Sequence, residues 1–515
     1  MKRCDWVLWV GTAALLGVVG CRNARQEMEG VLRSATEAGR PPRLRPDYTD
    51  CVIPPNIAPL NFVVEEPGTR YCVRLAAGEG EEIVVAGRSS DLVIPERQWH
   101  RLLDAHRGQA LDLDVCVEGP GGRWARYDRV RNIIAREEID RYLVRRVIDP
   151  AYNYWGDIAI CERDLEGYGE RTVLHNRPVG SSCLNCHSFR SNHTDRMTIG
   201  IRGPAYGSGT AFSCDGSAAK LATKFGYTAW HPSGRLAVYT DTEVRQFFHA
   251  ARAEVRDVVD LKSDLAYYDL AANAVKTAPG IADPARLETY PTWSPDGRYL
   301  YFCSAPLLWA ARGKVPPDGY EQSRYDLRRI SYDVASDRWG QPETVLSAER
   351  TRRSLLLPRV SPDGRFLLFC MCDYGCFPIY QPSSDLYMMD LGSGRYRKLG
   401  INSDRSEAWH SWSSNSRWIA FSSKRRDGLF TRTYLSYVDE RGQAHKAFIV
   451  PQRDPRFYDS FLKTYSVPEL VVEPVRPGMR QLAEAVRSPT PIQPANAAPS
   501  PAPAGGPPAS TSGVQ

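Results

Sequence analysis

Beyond its twentieth residue the chain has no apolar run long enough to cross a bilayer as a helix, which excludes a polytopic helical membrane protein. It has no block of Lys and Arg interleaved with aromatics. The net charge of +6 comes from 66 basic and 60 acidic residues spread throughout, so a nucleic-acid partner is not expected. The phosphate-cradling glycine loop, the dinucleotide fingerprint and the Gly-x-Ser-x-Gly elbow are all missing. Those absences close three common routes to catalysis without excluding others. Histidine is scarce, with nine in 515 residues, so each one can be accounted for. From Ser488 to Gln515 there is neither charge nor aromatic side chain, and residues 486–515 are expected to form a disordered Pro/Ala-rich tail.

The start of the chain reads as an export signal over residues 1–20. Lys2 and Arg3 give it a positive head, and the apolar stretch Trp6 to Val19 is short for a membrane span. It ends Val18-Val19-Gly20-Cys21, which resembles the lipobox of bacterial lipoproteins. That resemblance implies a lipid-modified Cys21 and a membrane anchor made of several acyl chains. Arg22 rather than Asp follows it, which favours the outer membrane. The expected location is the periplasmic side of the cell envelope.

Residues 21–55 read as a tether, since Pro41, Pro42, Pro46, Pro54 and Pro55 oppose regular structure. Residues 56–135 alternate like a half-buried sheet and read as a small β-sandwich-like domain. A helix is expected over about Pro95 to His106. A second is expected over Arg136 to Ile148, where Ile139, Leu143 and Val147 share one face.

A degenerate repeat then dominates. Its copies begin at Tyr227, Tyr290, Leu357 and His410. Each runs from a strand through a tight turn, such as Ser294-Pro-Asp-Gly297 or Ser361-Pro-Asp-Gly364, into an apolar second strand. Pro pre-sets one dihedral, Asp bonds its own backbone and Gly takes the positive φ. A third strand follows each copy, as in Ser384-Asp-Leu-Tyr-Met-Met-Asp390. These copies resemble blades of TolB-like propellers, in which four-stranded sheets stack because none can bury its faces alone. The fold class is therefore mainly β: a TolB-like β-propeller over residues 136–475, of five to seven blades with six expected, preceded by the sandwich-like domain.

Cys183-Leu-Asn-Cys186-His187 carries the chemistry. Two thiols three positions apart match the two vinyl groups of haem, and the adjacent imidazole suits the iron. Composition alone would produce such a pattern somewhere in the chain with a chance of about 0.6 %. A zinc site would want further ligands at matching spacing, and none is present. The polar flanks suggest a loop-rich insert, segment 175–205, carrying one covalent haem c. For the other axial position a path of about 25 Å around the macrocycle excludes short reaches. Six residues span at most ~20 Å and ten about 33 Å, so Met197 is the candidate ligand and His193 the strained alternative. His231, in a turn, reads as structural, and His410, between Trp409 and Trp412, as core. Cys370-Met-Cys372-Asp-Tyr-Gly-Cys376 lacks a fourth metal ligand and reads as buried thiols or a disulfide.

From Pro54 to about Leu470 the chain resembles exported TolB-like propeller proteins with a c-haem motif, found in Bacteroidetes and related bacteria. The resembling segments include Ile53-Pro-Pro-Asn-Ile-Ala-Pro-Leu-Asn-Phe62, Cys183-Leu-Asn-Cys-His-Ser-Phe189 and Arg426-Asp-Gly-Leu-Phe-Thr-Arg432. The resemblance implies a periplasmic or surface cytochrome and names no substrate. Three functions follow as expectations: electron transfer to a redox protein in the envelope, a peroxidase or reductase using an open iron position, or a protein-binding scaffold with a structural haem. Electron transfer leads, and a binding or electron-transfer role is preferred to catalysis.

Overall fold

Short alternating segments punctuated by Gly and Pro give many short antiparallel strands and few helices. The fold, seen in a computed structural model, is largely β, built from several small sheets. The structure describes residues 26, 28–78, 80–150, 156–310 and 313–496. The expected signal 1–20, Cys21 and residues 497–515 of the expected tail lie outside them. No helix of the described residues is long and apolar enough to cross a membrane.

The chain divides into two compact units. The first takes residues up to Ile139 together with Leu165–Tyr168 and Lys446–Phe461. Its central strand, Ala110–Glu118, pairs along one edge with Arg70–Ala77 and along the other with Val130–Ile134 and Trp124–Arg126. The expected first helix is observed over Glu96–Ala105, where it buries Trp99, Leu102 and Leu103. Part of the expected tether is structured instead. Leu44–Arg45 and Val52–Ile53 are short strands, and Cys51 to Pro55 are buried. The prolines sit at or beyond the strand ends, where a missing N–H costs no ladder bond.

The second unit holds Asp140–Asp164, Gly169–His445 and Leu462–Gln515. It contains six antiparallel sheets. The second sheet is Cys183–Arg190, His193–Arg202, Gly209–Cys214 and Ser217–Leu221. The third, fourth and fifth begin with Thr228–Trp230, Arg286–Trp293 and Ser354–Val360, and the sixth with Glu407–Trp412. The first sheet departs from chain order. Glu170–His175, Ile158–Asp164 and Tyr142–Ile148 pair in turn, and the late strand Thr464–Val471 completes it. The starting strands of sheets two to six pack each against the next. Thr464–Val471 packs against both Glu407–Trp412 and Cys183–Arg190.

The repeated turns are as the sequence suggested. Gly297 and Gly364 have φ of 72° and 73°, and their N–H groups donate to Ser294 and Ser361. His231 fills the serine position of its own turn, with Nδ1 2.7 Å from Ser233 Oγ and Nε2 3.1 Å from the Gly297 carbonyl.

Three expectations are corrected. The second helix, Arg136 to Ile148, is absent, and Tyr142–Ile148 is a strand flanked on both sides. Leu143, Val144 and Val147 are all buried there, so both faces are apolar and the helical spacing was coincidental. Segment 175–205 is not a loop-rich insert, because its motif lies on the first strand of the second sheet. Residues 486–496 are not free. The helix Met479–Arg487 buries Val486, Ile492 bridges Leu221, and Ala495 bridges Ala274.

Candidate functional site

Four of the starting strands and the late strand Thr464–Val471 share one local distortion. Cys186, Tyr290, Leu357, Trp409 and Val467 have φ between 50° and 54°. At each the pairing register slips by a residue. A left-handed, non-glycine residue inside a strand is uncommon and costs of order 1 kcal/mol or more. As a bulge it re-aims the side chains around it. The residue that follows is His187, Pro291, Pro358, His410 or Pro468. Proline suits the place because its missing N–H leaves no ladder donor unpaired. The motif's Cys186-His187 pair is therefore the second sheet's version of a repeated device. The signal was present in the sequence: Cys186-His-Ser-Phe189 matches Trp409-His-Ser-Trp412 and Tyr290-Pro-Thr-Trp293 position by position.

These residues line a cavity of about 590 Å³ that opens to solvent. Its walls include an aromatic cluster. Tyr227 lies 4.3 Å from Tyr290 and 5.7 Å from Trp409, centroid to centroid, and the Tyr290 hydroxyl donates to the Cys376 carbonyl at 2.6 Å. Charge enters through Arg359, which pairs with the buried Glu469, and through Arg146, which donates to Asn185 Oδ1. Burial holds the Glu469 carboxyl above its usual range.

His187 is buried, and neither Nδ1 nor Nε2 makes a well-formed hydrogen bond. Burial lowers its pKa to about 3. Arg146 pushes the same way, the Val144 backbone opposes it through a poorly formed hydrogen bond, and Arg359 and the Val467 backbone add smaller effects of opposite sign. Burial pushes the Cys186 thiol up to about 12. Cys183 adds to that rise, while Arg146, Lys224 and Arg202 counter it, so the two thiols share a neighbourhood. The arrangement offers a neutral imidazole beside the Cys186 thiol, while Cys183 lies in the adjoining apolar cluster and does not line the cavity. Such a donor set suits a transition metal or a covalent attachment.

The other expected site residues are dispersed. Met197 is fully buried in the apolar cluster that also holds Cys183, Leu184 and Ile199, opposite Phe189 across the ladder. It does not line the cavity. His193 is half exposed, 3.7 Å from Glu473. His175 pairs with Asp157 and His249 with Asp257. His410, read from sequence as core, lines the cavity, but its ring is committed. Nε2 lies 3.2 Å from the Leu368 carbonyl, and Nδ1 lies 3.8 Å from Cys370 Sγ. The described cysteines form no disulfide, and Cys370, Cys372 and Cys376 are buried thiols held above their usual pKa by burial. Among the described residues, no group of three or more His, Cys, Asp and Glu side chains gathers as a metal site.

No family model matches the chain, and no curated protein does. Among solved structures it is similar to Kuenenia stuttgartiensis hydrazine synthase at 12 % identity and a TM-score of 0.31, over 52 % of this chain. The match spans 65 % of the hydrazine synthase chain. It is similar to an oligogalacturonate lyase in complex with manganese at 11 % identity and a TM-score of 0.33, over 73 % of this chain and 98 % of that one. A chain of a nidogen/laminin complex gives 8 % identity and a TM-score of 0.36, over 64 % of this chain and 100 % of that one. Likenesses this distant assign no activity.

Proposed function

We propose that the second unit is a six-bladed TolB-like β-propeller carrying one covalent haem c, and that it transfers electrons in the cell envelope. In this reading Cys183 and Cys186 form the thioethers and His187 binds the iron. Cys21 carries a lipid anchor on the periplasmic side, with the outer membrane favoured. The propeller is supported by six consecutive sheets, by the packing of their starting strands, and by the late strand Thr464–Val471 returning to the first sheet. Such a return is how a ring of blades would be tied shut.

The observation that carries the haem is the unsatisfied imidazole. Buried polar groups are nearly always hydrogen-bonded, and leaving one unmade costs about 1–3 kcal/mol. His187 leaves two unmade. Binding iron would satisfy one of those two nitrogens. The haem would supply reversible one-electron chemistry. The chain's own residues supply the setting. Burial keeps His187 neutral throughout the physiological range, so no proton competes for its lone pair. Arg146 and Arg359 put positive charge near it, which favours the less positive iron state and suits the carboxylates of a porphyrin. The aromatic wall of Tyr227, Tyr290 and Trp409 limits water.

The test is mass spectrometry with a pyridine haemochrome assay on material matured in a bacterial periplasm. One haem per chain, lost in Cys183→Ser/Cys186→Ser, is expected, and unmodified wild-type mass would sink the reading. A second reading, a peroxidase or reductase with an open iron position, is favoured by one observation: Met197 packs into the apolar cluster and not into the cavity. A high-spin near-infrared spectrum together with peroxide turnover would select it. A Met–His low-spin spectrum would restore Met197 as the ligand.

A further inference from the structure

A second cavity, of about 620 Å³, shares Trp409 with the first and opens to solvent. Arg146 lines it and makes one hydrogen bond, to the neutral Asn185 side chain. Its Nε is buried and has no partner, and it forms no ion pair among the described residues. A guanidinium partly withdrawn from water without a counter-charge is costly. Its planar fork matches two oxygens of a single carboxylate or oxoanion. The surrounding wall is suited to the same guest, since Ser466, Thr464, Thr431 and Gln246 offer donors into the space. Asp149 also lines it, 3.8 Å from the Lys463 ammonium, which pairs more closely with Asp157.

We propose that this second cavity is a binding site for a small carboxylate or oxoanion, held in bidentate fashion by Arg146 and fixed by the hydroxyl groups of Thr464 and Ser466. Arg146 also bonds to Asn185, two residues before His187. Occupancy would therefore be felt at the neighbouring site, through a single side chain lining one cavity and bonded to Asn185 in the other. Anion binding itself does not depend on the haem.

The experiment is calorimetric titration of the full mature protein with acetate, succinate and phosphate, at constant ionic strength against chloride. Saturable binding of at least one probe is expected. Arg146→Gln should weaken it at least about tenfold, the loss of one charge-assisted contact, with Arg146→Lys recovering part. Thr464→Val with Ser466→Ala should weaken it less. Circular dichroism checks that each variant is folded. If Arg146→Gln does not fold, the double variant decides, and unchanged affinity there overturns the proposal. Equal affinity in Arg146→Gln and wild type overturns it, as does the absence of saturable binding for all three probes. If a haem propionate already neutralises Arg146, the holoprotein binds none of the probes while its haem content stays full. That result removes the anion site and leaves the haem reading standing.

Discussion

His187 and His410 occupy the same place on two different sheets, and only one of them is finished. Both follow a bulge residue with φ near 50°, both are buried, and burial lowers both to a pKa of about 3. His410 has the Leu368 carbonyl on one nitrogen and the Cys370 thiol beside the other. His187 makes no well-formed hydrogen bond, with only the backbone of Val144 and Val467 near its ring. The backbone device is therefore structural and general, and the chemistry lies in what surrounds each ring. A histidine in this position can be held by the protein alone, as His410 is, whereas the His187 ring is left without a well-formed hydrogen bond.

The largest test of that contrast is haem content. His187→Ala should abolish the haem-bound spectrum of periplasm-matured protein, while His410→Ala leaves haem per chain unchanged in the haemochrome assay. Equal losses in both would erase the distinction.

The next effect is in the acid range, where the two rings should behave alike. Unfolded imidazoles take up a proton near pH 6.5, and the folded ones do so only near pH 3. Each ring therefore contributes stability above pH 6.5 that is lost as pH falls towards 3, by a few kcal/mol. Asp260 and Glu288, raised by burial to about 7 and 8, act in the opposite direction, so the readout is a difference. In urea titrations of haem-free protein, His187→Leu and His410→Leu should each gain on wild type as pH drops through that window. Parallel curves would mean the rings are not buried neutral.

At neutral pH the two leucine variants should part. His410→Leu orphans the Leu368 carbonyl and should destabilise haem-free protein by about 1–3 kcal/mol. His187→Leu removes two unmet groups and should be neutral or stabilising. The smallest effect is at the rim of the comparison. Tyr290→Phe, which removes the bond to the Cys376 carbonyl, should cost about 1 kcal/mol and leave haem content intact.

Much of this was legible in the chain. The turns Ser294 to Gly297 and Ser361 to Gly364 declared themselves because Pro, Asp and Gly each have one physical reason to be there. The Cys183–His187 motif was visible for the same kind of reason. Its setting was misread because polar residues on both sides resemble a loop, whereas the bulge turns Cys186 and His187 inward on a strand. Aligning Cys186-His-Ser-Phe189 with Trp409-His-Ser-Trp412 would have shown it. Tyr142–Ile148 was misread because a strand buried on both faces has no alternation, and its apolar residues can then fall at helical spacing. The commitment of His410 to Leu368 and Cys370 joins residues 40 or more apart, and no local pattern reports it.

The strand Thr464–Val471 has a consequence for the order of events in the life of the chain. It is made nearly last, yet it lies against Cys183–Arg190 and forms part of the wall around His187. Until it docks, the two thiols and the imidazole face an open edge that an attachment enzyme can reach. Once it docks, Val467, Pro468 and Glu469 narrow that approach. If haem is attached as proposed, loading before this strand arrives meets the least obstruction, and a chain cut short of residue 464 would leave the edge of Tyr142–Ile148 unpaired, which invites aggregation.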